Sequence, residues 1–521
     1  GGIIVQADAV TILDSQLRSQ SVSGNAGKVI VSSKGQVLIE DPGATPDTGE
    51  GVDRGEFIDN ISNRDVAFGD ETGLLSLSIG GGATGGIEIG APSISLKSSG
   101  LYSLSQRDAE GALGQAGSIK LQSSATLLQY ARIQFGSESA SKTVGGIDIH
   151  AQAGTSISRQ SYLYSLAQIK FSGGAVDVHS SLVEAETSLA ELAGDIKLKA
   201  NSAWRSSTIG VQAANIEVLN SDVNFKKEAV LKLGGDLVVA KGSRLRGDFG
   251  RPSTLSVTGK NMTVNSGSSV DAGLGIDIAL DSVFGLLNDS RVQVGIDPVK
   301  FPEAIIEFPD GQRFGHLNLK AGRIAIAPGE AASEFMLFTP YGGTMSLVTE
   351  GVLTIESRGE VYLMDKAANP ESKMIVKAGG MLVEGGGLQA DEIDIDVVGQ
   401  LQIGNKEKPT LTSGIIGGVE DPRLVDITAG GLSLYGNGGI NGGIVLIKEG
   451  YNYDQGGWNN NVYGGQIRLK VGQTLLVDGS VISTRGRTSK YINNNIPVGS
   501  IDIDAGNLVL QKNARIEMPS G

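Results

Sequence analysis

Residues 464–486 read GGQIRLKVGQTLLVDGSVISTRG, and residues 499–518 read GSIDIDAGNLVLQKNARIEM. In the first stretch Ile467 and Leu469, then Leu475 and Val477, then Val481 and Ile482 mark three short apolar segments, divided by Gly-Gln and Asp-Gly turn signals. The second stretch repeats that order with Ile501 and Ile503, Leu508 and Leu510, and Ile516 and Met518. Apolar residues two apart put one face of a strand inward and the other outward.

The opening phrase, glycine followed by apolar-polar-apolar, recurs along the chain. It appears as Gly86-Ile87-Glu88-Ile89, Gly146-Ile147-Asp148-Ile149 and Gly275-Ile276-Asp277-Ile278, and with one added polar residue at Gly117-Ser118-Ile119 and Gly194-Asp195-Ile196. The leading residues Val176, Ile196, Ile216 and Leu237 are 20, 20 and 21 apart, whereas Ile119, Ile147 and Val176 are 28 and 29 apart. A unit of about twenty residues with optional loops of about nine accounts for both series.

Three short strands per unit, each unit starting like the last, describe one turn of a right-handed parallel β-helix. The expected fold is therefore all-β, a solenoid of about 20-residue coils with loop insertions, its rungs about 4.8 Å apart and its length on the order of 100 Å. Glycine supports this reading: 76 of 521 residues are Gly against only 14 Pro, which suits tight corners and argues against helices. A string of immunoglobulin-like sandwiches would repeat near a hundred residues and bury aromatic landmarks, but the chain holds 2 Trp.

We expect residues 1–521 to be one continuous β-helix segment of a larger chain, since the sequence opens mid-pattern at Gly1. Four stretches break the coil pattern and are expected to project as loops or small hairpins: 40–70, 282–315, 404–424 and 448–463.

Composition removes several function classes. Asp and Glu number 57 against 43 Lys and Arg, a net charge of −14, so the basic stripe of a nucleic-acid binder is missing and no nucleic-acid partner is expected. No run of about eighteen apolar residues offers a membrane-spanning helix. The absence of Cys excludes thiolate metal sites and cysteine nucleophiles. Three histidines, His150, His179 and His316, are a poor supply for a metal centre, and no metal or cofactor is expected. His150 and His179 read as residues marking strand ends.

The two stretches quoted at the outset, together with VTILDSQLRSQSVSGNAGKVIVSSKG at residues 10–35, resemble the repeats of filamentous-haemagglutinin-type exoproteins of two-partner secretion systems, cyanobacterial members in particular. The likeness covers both ends and much of 85–239 and is weak between about 283 and 427. It implies a long surface rod, exported unfolded through a partner outer-membrane barrel and folded outside the cell. The family's N-terminal secretion domain with its Asn-Pro-Asn motifs is not visible in this sequence.

Parallel β-helices also carry polysaccharide lyases and hydrolases, which need converging carboxylates. The sequence has no Asp-Asp pair and lacks the Asn-Thr-Asp, Gly-His-Gly and Arg-Ile-Lys phrases of a polygalacturonase-like site. Asp148, Asp277, Asp394 and Asp502 sit at the outward position of Ile-Asp-Ile phrases and read as solvated surface. Residues 273–278, GLGIDI, match one imperfect calcium nonapeptide and read as a corner, because such sites need tandem copies. No catalytic residue is assigned.

Two features suit partner binding. Arg246, Gly247 and Asp248 form the tripeptide that integrins read on a displayed loop. Tyr451, Tyr453, Trp458 and Tyr463, interleaved with Asn452 and residues 459–461 (NNN), concentrate aromatic rings and amides that suit a surface glycan or a protein receptor. The function expected is that of a noncatalytic extracellular rod, structural and adhesive, able to self-associate into filaments. A polysaccharide-cleaving β-helix enzyme is the alternative.

Overall fold

The computed structural model describes residues 1–22, 24–43, 72–107, 110–112, 114–137, 145–248, 251–295, 315–327, 336–339, 343–356, 359–363, 372–407, 415–416, 424–436, 439–441, 444–452, 457–484 and 499–518. Among them there is no helix, and the chain is all-β. It divides into two compact units, Gly1–Arg246 and Gly247–Gly521.

The first unit is built from three ladders of parallel strands. One stacks Ile3–Ala7, Val29–Ser33, Ile87–Gly90 and the opening of Ile119–Gln129. A second stacks Val10–Leu13, Gln36–Glu40 and Ser93–Lys97, and farther on Ile196–Lys199, Ile216–Leu219 and Asp236–Ala240. The third stacks Gln16–Ser21, Gly73–Ile79, Gly100–Gln106 and Arg132–Ser137. Longer strands pass from ladder to ladder through register shifts: Tyr162–His179 contributes 162–165 to the third, 168–173 to the first and 175–179 to the second.

The alternation read from the sequence is the burial pattern observed. Ile196–Lys199 and Ile216–Leu219 each alternate buried with half-buried positions. Ile12, Ile39, Leu96, Leu128, Ile157, Val178, Leu198, Val218 and Val239 are successive register partners in the second ladder, and all are buried. Stacking branched aliphatic side chains one strand apart removes nearly the whole of each from water, about 1.5–3 kcal/mol apiece.

One of the two spacing series holds as read and the other does not. Val176, Ile196, Ile216 and Leu237 are partners in one ladder. Ile119 pairs with Ile147, but the next partner of Ile147 is Ile169, while Val176 pairs with Thr155 in a different ladder. Every ladder carries the same apolar-polar rhythm, so spacing by itself does not say which of them a phrase belongs to.

Corners between the second and third ladders use left-handed backbone at Ser180, Ala200, Asn201, Asn220 and Lys241, with φ of 48–65°. Asn tolerates that region because its amide satisfies local partners, and here Asn220 Nδ2 donates to Asn201 Oδ1 one strand away at 3.0 Å. A buried serine follows each corner. The Ser221 hydroxyl accepts the Ser202 N–H at 3.2 Å and donates to the Leu219 carbonyl at 2.9 Å, and Ser181 treats Ser161 and the His179 carbonyl in the same way. These hydroxyls hold buried amides that the turn leaves without backbone partners.

The second unit repeats the scheme with wider spacing. Leu255, Ile276, Leu317, Met345, Met374, Ile393, Val425 and Ile467 are successive register partners and are buried. The three apolar segments of residues 464–486 occupy two strands: the first two merge into Gln466–Asp478, bent by a register shift between Val471 and Thr474, and the third is Val481–Ser483. Within 282–315, the strand Gly275–Leu287 continues to Leu287 and Arg291–Val294 follows. Within 404–424, Ile415–Ile416 pairs with Gly387–Leu388. Residues 44–71 and 296–314 lie outside the described residues. The described part of interval 448–463 falls in an antiparallel pair, Ile444–Asn452 with Gly457–Gly464, a sheet separate from the parallel one, and residues 453–456 lie outside the described residues.

Candidate functional site

The antiparallel pair places Tyr451 opposite Trp458 and Val445 opposite Tyr463 in its backbone register. Three of the four aromatic positions singled out from the sequence thus share one two-stranded ribbon, and Tyr453 lies outside the described residues. Arg246 and Gly247 lie in the strand Arg244–Gly247. Gly247 is buried, Arg246 and Asp248 are half-buried, and an Asp248 carboxylate oxygen lies 3.7 Å from Arg251 Nε. Two members of the tripeptide are therefore strand residues and not a loop apex.

The outward aspartates take separate places. Asp148 stands between Lys120 and Lys170 in register. Asp277 accepts from Asn318 Nδ2 at 2.8 Å and lies 3.3 Å from His316 Nε2. Asp394 neighbours Asp426, which has Arg468 on its other side at 3.9 Å, and Asp502 follows Arg468. His150 lies within Gly146–Ser158, not at a strand end as the sequence suggested, with its Nδ1 3.0 Å from Ser172 Oγ. The 13-residue strand runs on because a register shift after Ala151 bends it into the next ladder. His179 does close a strand, Tyr162–His179. Among the described residues no group of three or more His, Asp or Glu is placed to hold a metal ion.

Sequence reading missed the most developed polar and aromatic cluster of the first unit. On the third ladder, Ile133, Leu163, Val183 and Trp204 are register partners on the core side, so the alternate positions face away from it. Those positions hold Arg132 and Gln134, then Tyr162 and Tyr164, then Leu182 and Glu184, then Ala203 and Arg205, on four successive strands. The Arg132 guanidinium lies over the Tyr162 ring, 5.2 Å from its centroid. The two tyrosine rings are 5.8 Å apart and tilted by 37°. Tyr162, Leu182 and Ala203 form the buried floor, with Tyr164 packed on its edge.

The electrostatics of this cluster are uneven. Burial, then the Glu184 carboxylate and Tyr164, push the Tyr162 phenol well above the usual tyrosine range, opposed by Arg132 and Arg205. Tyr164 is pushed up by burial and by Glu184. Gln134 Oε1 is buried with no hydrogen-bond partner. The signal in the sequence was Tyr162-Leu163-Tyr164, an aromatic pair two apart in a chain poor in aromatics. Its polar neighbours stand 20 and more residues away and join it only through register.

Compared with protein-family models, with curated proteins and with solved structures, the chain matches none of them.

Proposed function

We propose that this chain is a noncatalytic structural and adhesive surface protein whose units are right-handed parallel β-helices. The observation that carries this reading is the in-register stacking of apolar columns along ladders of parallel strands, such as Ile12 to Val239, whose last four steps are 20 or 21 residues and whose earlier ones are longer. Parallel strands joined by crossovers favour the right hand, and a solenoid whose neighbours touch only in sequence order grows in one dimension. Such a scaffold offers extended outer faces for adhesion rather than one deep cleft.

The resemblance to filamentous-haemagglutinin-type exoproteins supports an extracellular or cell-surface location, export through an outer-membrane secretion barrel, and self-association into filaments. Glycans or protein receptors on opposing surfaces are the partners this role calls for, with the Ile444–Gly464 ribbon as one contact region. Electron microscopy of the purified chain, joined to reducing-end assays on a polysaccharide panel, tests the proposal. Thin rods of uniform width with a repeat of about 4.8 Å along the long axis, and no cleavage products, are expected. Compact isotropic particles, or release of reducing ends, would overturn it.

A further inference from the structure

We propose that the outward face of five strands in the second unit, Lys373–Val383, Glu392–Ile403, Leu424–Tyr435, Gln466–Asp478 and Ser500–Gln511, joins the same face of a second copy of the chain, the two ladders running in opposite directions. The inference rests on the reading of a self-associating rod and gives that association a surface and a direction.

The first four strands bury Met374, Ile393, Val425 and Ile467, so alternate residues face out. One outward column holds Lys377, Asp396, Thr428, Lys470 and Asp504 in register, and all five are exposed. A second column, two residues back along each strand, holds Ile375, Asp394, Asp426, Arg468 and Asp502. Charge therefore crosses the face in bands: positive on the first strand, negative on the second, positive on the fourth and negative on the fifth, with Asp426 on the third. Among the described residues Lys377, Asp396, Lys470 and Asp504 form no ion pair within 4 Å. Their charges are thus open to a partner that approaches from solvent.

A banded face selects the direction of its partner. Two copies laid parallel, each strand over its own equivalent, would set Asp396 against Asp396 and Lys470 against Lys470, and facing like charges are costly. Turned end for end about the third strand, the first strand of one copy faces the fifth of the other, and the second faces the fourth. Lys377 then meets Asp504, Asp396 meets Lys470 and Asp394 meets Arg468, each twice because a two-fold contact is self-complementary. A slip of one strand would instead oppose Asp396 to Asp504 or Lys377 to Lys470, so the bands set the register as well. Ile375 against Asp502 gains nothing. Asp426 meets its own equivalent but keeps Arg468 of its own chain 3.9 Å away. Facing sheets sit about 10 Å apart, a gap that a lysine and an aspartate side chain span together. Five strands and five residues along each make a patch of roughly 20 by 17 Å, under half of the roughly 800 Å² a standard interface buries per partner. A single contact is accordingly weak, and it gains strength where several act together.

The test is sedimentation equilibrium of the full chain at high protein concentration over a range of salt. In dilute salt the mass is expected to rise from 53.9 kDa toward twice that value, and to fall back as added salt screens the pairs. Asp396→Lys and Lys470→Asp each set like charges together at both symmetry-related positions, and each is expected to weaken association tenfold or more. Asp396→Lys also reduces the net charge of −14, so a loss of pairing there comes from the face and not from overall repulsion. An equal mixture of the two variants should pair as the parent does, because each supplies the charge the other lacks. Lys232→Glu, a reversal at an exposed position in the other unit, should leave association unaltered, and circular dichroism on each variant separates loss of the contact from loss of the fold. The proposal is overturned if the parent stays single at millimolar concentration in dilute salt, if association ignores salt, if either folded single variant pairs as the parent does, or if their mixture fails to pair. Rods that stay single in electron micrographs would remove this contact and leave the rod reading standing, whereas compact particles would remove the reading itself.

Discussion

Replacing Ser221 with Ala removes one oxygen from a fully buried corner. In the native protein that oxygen accepts the Ser202 N–H at 3.2 Å and donates to the Leu219 carbonyl at 2.9 Å. The Ser202 amide has this hydroxyl as its acceptor, and the void left by a single oxygen is smaller than a water needs. Leaving a buried amide unsatisfied costs about 1–3 kcal/mol. The middle of that range, about 2 kcal/mol, corresponds to roughly thirtyfold. The loss should stay local, because each strand of a ladder pairs only with the strands one step before and one step after it. Hydrogen exchange resolved to the Ser202 amide is therefore the assay, and Ser221→Ala should exchange about thirty times faster there while strands several ladder steps away keep their protection. Lys232→Ala, on the exposed face of the same unit, serves as the control. An exchange rate at Ser202 within twofold of the parent would refute the claim that corner hydroxyls hold these amides.

Three further outcomes follow from the same packing and charges. Leu198→Ala, in the buried column between Val178 and Val218, should cost about 2–5 kcal/mol, whereas the neighbouring Lys197→Ala should stay within about 0.5 kcal/mol; denaturant midpoints distinguish the two. Asp478 is buried and lies 2.9 Å from Lys512 Nζ, whose hydrogen bond holds its carboxyl below the usual range. The linked stability is complete above the unfolded value of about 3.9 and is lost as pH falls through the lower folded value, so Asp478→Asn should flatten the acid limb of unfolding for residues 466–517. Tyr162, its phenol raised by burial, should keep its proton where an ordinary tyrosine ionises near about 10. Folded stability then declines as pH rises past that value, and an ultraviolet difference titration of parent against Tyr162→Phe should show no native ionisation step there.

Much of the strand content could be read in advance, because period-two alternation leaves a mark at every strand. The Val176–Leu237 series gave the correct register, since its repeats differ by at most one residue between equivalent positions. Ile147 and Val176 look equivalent in sequence but stand in different ladders. That distinction depends on where Tyr162–His179 bends, and a bend absorbed by a register shift carries no residue signature. The aromatic ribbon at 444–464 announced itself by composition. The cluster around Tyr162 did not, because Arg132 and Arg205 lie 73 positions apart in the sequence and meet one face only after three consecutive pairings. Glu184 and Gln134 are unremarkable residues until register sets them beside two phenols.

The pairing of Val176 with Ile196, and of Ile196 with Ile216, has an evolutionary corollary. Excising residues 196–215 would offer Ile216 to Val176 with the same inward phase, the same corner asparagine and the same following serine, since Asn220 and Ser221 would stand where Asn201 and Ser202 stood. Duplication of those residues would do likewise. Length in such a ladder is a discrete variable, changed by whole repeats through ordinary recombination errors, and selection can lengthen or shorten it without redesigning a core.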